Sequence, residues 1–474
     1  MKELEKLFER IILRTSINLR ELNIDVQPLL KELLPYDKLM KFYAFYGITS
    51  SHPLDMQFTH SCLSGSYFLG KCRVKNAVLY KSDIRGDELK KKGDLFAFQD
   101  QKIPLTDDEG IVIEDSFLNK TLVHNYSHDP ETLENFFIND TISLNYANIH
   151  GSPTSGCFLG PFSTVDLTTV TDSVVGTFSY VQAGEISHLN VAPGTVWVKK
   201  DDTFNFLYRY PMAQLNDFVY FSGGKPPQGQ IVDFVEDRKE AFQMVFDKVN
   251  VPSSIPVPKS ASLDRYAVTK PETHIGENVL VSQRAFLQNA WLGQGANAQE
   301  NCYIINSKLE GNNVTAHGAK IIEADLGKNV FVGFNSFLRG RPDCRLSIEK
   351  ESIIMPHTII DAREKIVVPA GYIAWGMITN PKELEANSMA IVDFKNINAH
   401  FSKGRMFFEG SGAAFVNAFR DRIHHILEAN GAFYNASGAN KGHAQNNQNI
   451  SFNTLQPYPQ GRLQGLYPTL VIKP

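Results

Sequence analysis

Ile275-Gly-Glu-Asn-Val279-Leu-Val281 and Leu326-Gly-Lys-Asn-Val330-Phe-Val332 decide the fold of this chain, because they repeat one template. The template reads apolar, Gly, any residue, Asn, Val, any residue, Val. Glycine tolerates positive φ freely and asparagine tolerates it fairly well, so the middle of the template predicts a corner between two short strands. One such repeat cannot bury its own apolar side chains, so several must stack on one another.

A second block of similar repeats lies nearer the N-terminus and begins at about Leu54. Apolar residues recur there at i, i+4 and i+6, for example in Leu63–Val74 and Ile138–Tyr146. Parallel pairing of successive coils, about 4.8 Å apart, satisfies the backbone of such strands. The sequence therefore predicts a mainly β fold with two left-handed parallel β-helix blocks, in which a coil takes about 18 residues, or three hexapeptides.

The flanking segments predict a division of the chain into five parts. Residues 1–50 should be helical, 51–200 the first β-helix, interrupted by loops, and 201–270 a connecting α/β segment with a Pro-rich linker. Residues 271–390 should form the second β-helix, and 391–474 a C-terminal helix with an irregular tail. Helical spacing predicts helices in 1–16, from Pro28 to about Phe45, in 238–249 and in 410–430.

Composition excludes some classes of function. The chain has 474 residues and a formal net charge of −4, which gives no electrostatic case for binding nucleic acid or an anionic membrane. No apolar run approaches the roughly 20 residues of a membrane helix. The N-terminus carries glutamates among its apolar residues, unlike a signal peptide. Five scattered cysteines suit free thiols in a reducing compartment, so we expect a cytoplasmic protein.

Three fragments of the first block resemble the γ-class carbonic anhydrase group of hexapeptide-repeat proteins. Ile84-Arg-Gly-Asp-Glu88 resembles the Arg-Gly-Asp turn of that family. Ile113–His124 resembles the coil that ends in its first zinc-binding histidine, and Ile142–Gly151 resembles the coil that carries its other two. The resemblance covers about residues 60–180.

The resemblance implies roles for individual residues. Arg85 and Asp87 match the inter-subunit arginine and aspartate of the family. His124 matches the first zinc ligand and His150 the last, while the middle ligand falls near Tyr146, where this chain has no histidine. Two protein ligands are fewer than the three, plus a water, of a catalytic zinc site.

Each of these residues also has a structural interpretation that the sequence leaves open. His124 and His150 are either zinc ligands on neighbouring coils, with a third ligand from another chain or a nearby side chain, or corner histidines bonded to the backbone. Arg85 and Asp87 either bridge two β-helices of a trimer or hold a catalytic water, or they form a local ion pair in a plain β-helix turn.

His317 is the candidate general base of the second block, which resembles the hexapeptide acyltransferases. Such enzymes use one histidine to take a proton from a substrate hydroxyl or amine, which then attacks an acyl thioester. A histidine at a β-helix corner with no chemical role is the alternative. Gln288, near Arg284, resembles the glutamine that the first block lacks, so the blocks could be diverged copies that place Arg85 and Arg284 at equivalent corners.

Three functions follow. The first is acyl transfer from a thioester such as acyl-CoA to a small-molecule hydroxyl or amine, with His317 or His150 as base. The second is a γ-carbonic-anhydrase-like protein with an incomplete zinc site at His124 and His150. The third is a non-catalytic β-helix scaffold. For all three we expect a homo-oligomer, such as a trimer, with a small molecule rather than nucleic acid or a membrane as ligand.

Overall fold

A computed structural model describes residues 2–33, 36–39, 43–49, 54–98, 101–247, 255–456, 466–467 and 469–473. The chain divides into two compact units. The first unit comprises Met1–Val198, Met212–Gly229 and Ile450–Pro474, and the second comprises Lys199–Pro211 and Gln230–Asn449. Each unit contains one left-handed parallel β-helix, so the predicted fold class is confirmed.

The first β-helix has three faces of parallel strands. The face that carries the candidate site consists of Ala44–Ile48, Tyr67–Leu69, Asp83–Arg85, Leu122–His124, Asn148–His150, Thr164–Asp166, Tyr180–Gln182 and Thr195–Lys200. The second face consists of Val78–Tyr80, Phe117–Asn119, Ile142–Ser143, Phe158–Leu159, Val174–Val175 and Asn190–Val191. The third consists of Met56–Thr59, Cys72–Lys75, Gly110–Glu114, Asn135–Asn139, Thr154–Ser155, Thr168–Thr171 and Gly184–Ser187.

Uninterrupted coils of the first unit take sixteen residues, fewer than the 18 that three hexapeptides predict. Asn148 pairs with Thr164, and Thr164 pairs with Tyr180. Two corners of this coil are made by single residues in the left-handed region, Leu167 with φ 48° and Asp172 with φ 43°. A corner made by one such residue turns the chain in less length, which shortens the repeat.

Inward-facing side chains fill the first β-helix. The middle residue of each strand on the site face points into the core, as Ile84, Ile149 and Val165 do. In a strand the two flanking residues must then point the opposite way. The alternation therefore reserves the outward positions of this face for residues such as Arg85 and His150.

The N-terminal helix that the sequence predicted is observed at Lys2–Asn18, and it covers the second face of the first unit. Phe8 packs edge-on against Phe117 with ring centroids 4.8 Å apart. The Arg14 side chain forms an ion pair with Asp140, with Nη2 2.8 Å from Oδ2. The helix therefore buries its apolar stripe against the β-helix and is tethered at one corner of it.

The prediction of one helix from Pro28 to about Phe45 is wrong. The described part of this segment has two single-turn helices, Gln27–Leu30 and Tyr36–Leu39, and then a strand, Ala44–Ile48. Leu34 and Pro35 lie outside the described residues. The strand forms because Ala44–Ile48 pairs with both Tyr67–Leu69 and Ser451–Leu455, so tertiary pairing overrides the local helical spacing.

Segments distant in sequence complete the first unit. Ser451–Leu455 and Leu470–Ile472 add antiparallel to the first strands of two faces, which covers edges that would otherwise be open to pairing. An insertion between coils forms a hairpin of Leu95–Phe98 and Gln101–Pro104. The remaining short helices of the unit are a 3-10 turn at Leu19–Leu22 and a helix at Met212–Leu215.

The second β-helix has seventeen-residue coils where it is uninterrupted, since Leu280 pairs with Asn297 and Val314 pairs with Phe331. Strands Phe286–Leu292 and Tyr303–Leu309 bend around corners at Asn289 and Asn306, respectively, and serve two faces. The other strands on those two faces are Val268–Thr269, Lys320–Ile322, Phe337–Arg339, Ile359–Asp361, Met377–Ile378, His274–Ile275, Ala324–Leu326, Leu346–Ile348 and Val367–Val368. The third face has Ser262–Leu263, Leu280–Val281, Asn297–Ala298, Val314–Thr315, Phe331–Val332, Ile353–Ile354, Tyr372–Ala374 and the antiparallel Ser388–Ala390.

Helices and antiparallel strands surround the second β-helix. They are the helices Gln230–Glu236, Lys239–Asp247, Pro381–Ala386, Ile391–Phe394, Gly412–Ala429 and His443–Asn446, a 3-10 turn at Asn447–Asn449, and the strands Phe204–Arg209, Phe401–Lys403 and Met406–Gly410. The helix predicted at 410–430 is confirmed by Gly412–Ala429, and its N-cap Ser411 accepts a hydrogen bond from Ala414 N. Of the helix predicted at 238–249, Lys239–Asp247 is observed.

Residues 431–449, which belong to the tail that the sequence predicted to be irregular, cap the second β-helix. Gln445 Nε2 donates to Ser260 O at 2.7 Å, and Gln448 Nε2 donates to Ala261 O at 3.0 Å. These amides reach the backbone of the first coil, so the polar composition of the segment serves capping. Among the described residues, no helix has the length and apolar character needed to cross a bilayer.

Candidate functional site

A row of polar side chains runs up the site face of the first unit, one per coil, at the last residue of each strand. His124 pairs with His150, and His150 pairs with Asp166. The register continues to Arg85 below and Gln182 above, because the residues before them pair in the same way. Parallel in-register stacking therefore brings Arg85, His124, His150, Asp166 and Gln182 into one ladder, which we call the polar ladder.

His150 is the best-positioned proton acceptor of the ladder. Its Nδ1 lies 2.8 Å from Asp166 Oδ1, and the Asp166 side chain is fully buried. Asp166 also accepts a hydrogen bond from the Tyr180 hydroxyl, which lies 2.9 Å from Gln182 Oε1. A carboxylate on Nδ1 fixes the ring and its tautomer and leaves Nε2, which is 3.4 Å from Asn125 Nδ2, to act on a substrate.

His124 lies between His150 and a group of charged residues at the start of the ladder. Its ring centroid is 5.4 Å from that of His150. Its Nε2 is 3.6 Å from Asp87 Oδ1 and 3.9 Å from Glu88 Oε1. Arg85 forms an ion pair with Asp87, in which the guanidinium Nε donates to Oδ1 at 3.2 Å. The structure therefore brings together four of the five residues that the sequence singled out.

The first unit supplies two of the ligands that a zinc ion would need. One donor atom each of His124 and His150 lie within 4.8 Å of one another. The residues at the position of the middle ligand have hydrogen-bond partners on the preceding coil: Asn145 Oδ1 accepts from Asn119 Nδ2 at 2.9 Å, and the Tyr146 hydroxyl accepts from Lys120 Nζ at 3.0 Å.

Zinc chemistry needs three protein ligands and an open position. Among the described residues of this unit, no third histidine, cysteine or carboxylate has a donor atom within 4.8 Å of both histidines. Taken by itself, the unit therefore does not fit a catalytic zinc ion, and a third ligand would have to come from outside it.

His317, the fifth residue, lies in the second unit and also faces a carboxylate. Its Nδ1 is 2.8 Å from Glu300 Oε2, and both side chains are almost fully buried. The His317 ring packs 5.2 Å from that of Phe334. Nearby in the chain, burial lowers the pKa of Lys320 to about 7, although Cys302 acts in the opposite direction. The second unit thus has a histidine–carboxylate pair of its own.

The two histidine–carboxylate pairs occupy different places on their coils. His150 is the last residue of a strand, whereas His317 lies in a corner just before Gly318, which has φ 74°. Arg284 is a corner residue with φ 55°, whereas Arg85 ends a strand. The expectation that Arg85 and Arg284 lie at equivalent positions is therefore wrong, and the two arginines give no support to a common ancestral site.

Sequence reasoning missed the carboxylates that orient the histidines. Asp166 and Tyr180 were not singled out, and neither was Glu300. The length of one coil is the signal in the sequence that could have identified these carboxylates. Asp166 follows His150 by sixteen residues, and Glu300 precedes His317 by seventeen. Because the expected repeat was 18 residues, the search for partners one coil away would have fallen one or two residues beyond them.

Comparisons with known proteins agree with the architecture. A family model described as a hexapeptide repeat including a loop matches residues 101–223. A solved structure from Desulfovibrio desulfuricans G20, described as that of a candidate acetyltransferase, is 49% identical, with a TM-score of 0.94, and the match covers 100% of this chain and 99% of that one.

A second solved structure, a UDP-N-acetylglucosamine acyltransferase from Campylobacter jejuni, is 9% identical over 67% of this chain and 81% of that one. Its TM-score of 0.15 is too low to support any argument. No curated protein matches the sequence.

Proposed function

Because the chain belongs to the hexapeptide-repeat family of left-handed parallel β-helix proteins, we propose that it is an acyltransferase. It transfers an acyl group from a thioester donor such as acyl-CoA to a hydroxyl or amine of a small molecule. The description of the Desulfovibrio relative as a candidate acetyltransferase supports this class of reaction.

One observation carries the proposal at the level of residues, the contact of 2.8 Å between His150 Nδ1 and the buried Asp166 carboxylate. Nε2 of His150 takes the proton from the acceptor hydroxyl or amine as that group attacks the thioester carbonyl. Asp166 stabilises the imidazolium that forms, and Tyr180 holds Asp166 in place. The proton then passes to the departing thiolate.

Arg85 and Asp87 support this site from the adjoining coil. Asp87 accepts from Arg85 and lies 3.6 Å from His124, the neighbour of His150. We assign this ion pair an electrostatic role near His124. The positive guanidinium of Arg85 and the carboxylate of Asp87 offset each other, so that little net charge remains beside the substrate that accepts the acyl group. Both side chains are almost fully buried, which strengthens these interactions relative to those of a surface pair.

The His317–Glu300 pair is the alternative base for the same reaction. Its contact is as short as that of His150 and Asp166, but its imidazole is 2% exposed, against 10% for His150. A base must reach the proton that it removes, so we favour His150.

The test is release of free thiol from acetyl-CoA in the presence of a panel of small hydroxyl and amine acceptors. Wild-type protein should release thiol in an acceptor-dependent manner, and His150→Gln should not. A thermal-shift series with acyl-CoA esters measures donor binding separately. Absence of both stabilisation and thiol release with every thioester would contradict the proposal.

A γ-carbonic-anhydrase-like metal protein is the second candidate. It is favoured by the adjacent, in-register His124 and His150, of which His150 is oriented by a carboxylate as metal-binding histidines commonly are. Zinc, if bound, would supply a polarised water. Metal analysis of purified protein tests it: stoichiometric zinc that disappears in His124→Ala supports this candidate, whereas metal-free protein that still transfers acyl groups contradicts it.

We also propose that the protein works in the cytoplasm as a homo-oligomer, most simply a trimer. The five free thiols suit a reducing compartment, and the net charge of −4 suits a small-molecule ligand better than nucleic acid or an anionic surface. Light scattering of the purified chain measures the oligomer, and a monomer at micromolar concentration would contradict that part of the proposal.

A further inference from the structure

Lys90 of the first unit lies in a cradle of two aromatic rings. Its Nζ is 3.6 Å from the ring centroid of Tyr126 and 4.6 Å from that of Phe96. The same nitrogen is 3.5 Å from Ser127 O. The Phe96 side chain is buried, and the Lys90 side chain is partly covered. An amine held between ring faces loses much of its water.

A buried carboxylate holds this cradle together through the backbone. Glu109, which is 1% exposed, accepts a hydrogen bond from Lys90 N at 3.0 Å through Oε2 and from Ser127 N at 2.6 Å through Oε1. The backbone of Lys90 also accepts from Glu109 N at 2.9 Å. Glu109 thus joins the segment of Lys90 to the segment of Tyr126, so the lysine is fixed over the ring.

The surroundings increase the fraction of the amine that is neutral, although the ammonium stays the major form at neutral pH. Burial lowers the pKa of Lys90 to about 8, although the charges of Glu109 and Asp94 oppose the shift. At pH 7.5 such an amine is neutral about 10² times more often than an ordinary lysine with a pKa near 10.4. A neutral amine is a nucleophile, whereas an ammonium is not.

The two segments that form the cradle continue directly from residues of the candidate site. Lys90 follows Asp87 by three residues, and Tyr126 follows His124 by two. Both segments therefore leave the polar ladder and meet at the cradle. A thioester bound at the ladder would have to extend over these few residues to reach the Lys90 side chain.

We propose that Lys90 is a self-acylation site, modified at Nζ by the acyl thioester that the protein uses as donor. The identity of the donor rests on the proposed function. The lone pair of Nζ attacks the thioester carbonyl carbon, an amide C–N bond forms and the C–S bond breaks. The thiolate leaves and takes up the proton that the nitrogen loses, so that one acyl-lysine and one free thiol result.

Acylation would change the cradle as well as the lysine. The amide is uncharged, so the cation–π contact with Tyr126 is lost, while the acyl group gains the apolar faces of Phe96 and Tyr126. Because Tyr126 lies two residues from His124, the modification would alter the edge of the site. The state of the site would then depend on the concentration of the acyl donor.

The experiment uses full-length protein and acetyl-CoA, with peptide mass spectrometry of each lysine over time. Lys91 and Lys92 are exposed neighbours in the same loop and serve as internal controls. At pH 7.5 we expect Lys90 to be acetylated at least tenfold faster than either, and the advantage to fall as pH rises toward 10. Tyr126→Ala, which opens the cradle to water, should reduce the advantage.

Two further arms separate this inference from the proposed function. The same labelling is done in His150→Gln, and with acetic anhydride in place of acetyl-CoA. Selective acetylation of Lys90 by acetyl-CoA supports the inference even if no small acceptor is ever acylated. Equal labelling of the three lysines by both reagents would overturn it, and so would selective labelling by the anhydride with none by acetyl-CoA.

Discussion

In the first β-helix successive coils are sixteen residues apart, and in the second they are seventeen. Each nevertheless places a histidine against a carboxylate on the neighbouring coil, His150 against Asp166 and His317 against Glu300, at 2.8 Å in both cases. The carboxylate comes one coil later in the first unit and one coil earlier in the second.

This difference shows what the architecture supplies to chemistry. Stacking in register makes any residue a neighbour of the residue one repeat away, whichever part of the coil it occupies. In the first unit the pair ends two strands and continues into a ladder of polar side chains. In the second unit the pair lies at a corner. The first arrangement therefore surrounds its histidine with further polar groups.

The largest expected effect separates the two histidines. His150→Gln should lower the rate of acyl transfer by about 10²–10⁴-fold, because it removes the proposed general base. His317→Gln, the matched change in the second unit, should lower it by less than about tenfold. Thiol release from acetyl-CoA measures both, with circular dichroism to verify folding. A larger loss of activity in His317→Gln than in His150→Gln would show that the active site lies in the second unit.

Core truncation should affect the two β-helices alike. Ile149 and Ile321 are both central strand residues with no exposed surface. Replacing either by alanine leaves a cavity in a closely packed core and should cost about 2–5 kcal/mol of unfolding free energy. Denaturant unfolding measures the loss. Values below about 1 kcal/mol in one variant would show that the interior of that unit is loosely packed.

Substitution of the two carboxylates should affect activity in the same order as substitution of the two histidines, but the difference should be smaller. Asp166→Asn keeps the shape of the side chain but removes the charge that stabilises the imidazolium of His150, so kcat should fall by about 10–100-fold and the pH profile should move. Glu300→Gln should leave both nearly unchanged. Equal losses in the two variants would mean that both pairs take part in catalysis.

The buried Lys320 of the second unit predicts a dependence of stability on pH. Its pKa is lowered to about 7 in the folded state, so between pH 7 and about 10.4 the unfolded chain binds more protons and stability rises with pH. Lys320→Met removes this contribution and should raise stability at pH 7.5 by about 1–2 kcal/mol, with a smaller gain at pH 9.5. Thermal unfolding of both proteins at each pH measures the difference. If the stability of wild type and of Lys320→Met changed equally with pH over this range, the lowered pKa of Lys320 would be contradicted.

The sequence predicted the architecture better than it predicted the contacts. The template in Ile275–Val281 and Leu326–Val332 is local, because corner residues and inward apolar residues alternate within one repeat. The helix at Lys2–Asn18 is likewise predicted by its own spacing. The strand Ala44–Ile48 was missed because its partners, Tyr67–Leu69 and Ser451–Leu455, lie outside it.

For the candidate site, the sequence by itself determined that Arg85, Asp87, His124 and His150 belong to one block and that His317 belongs to another. Only the tertiary structure decided which carboxylate each histidine faces. The partner of His150 depends on a coil of sixteen residues, which depends in turn on corners made by single left-handed residues. Side chains far apart in the chain meet through the register of parallel strands, and that register is set when coils stack, not within any one repeat.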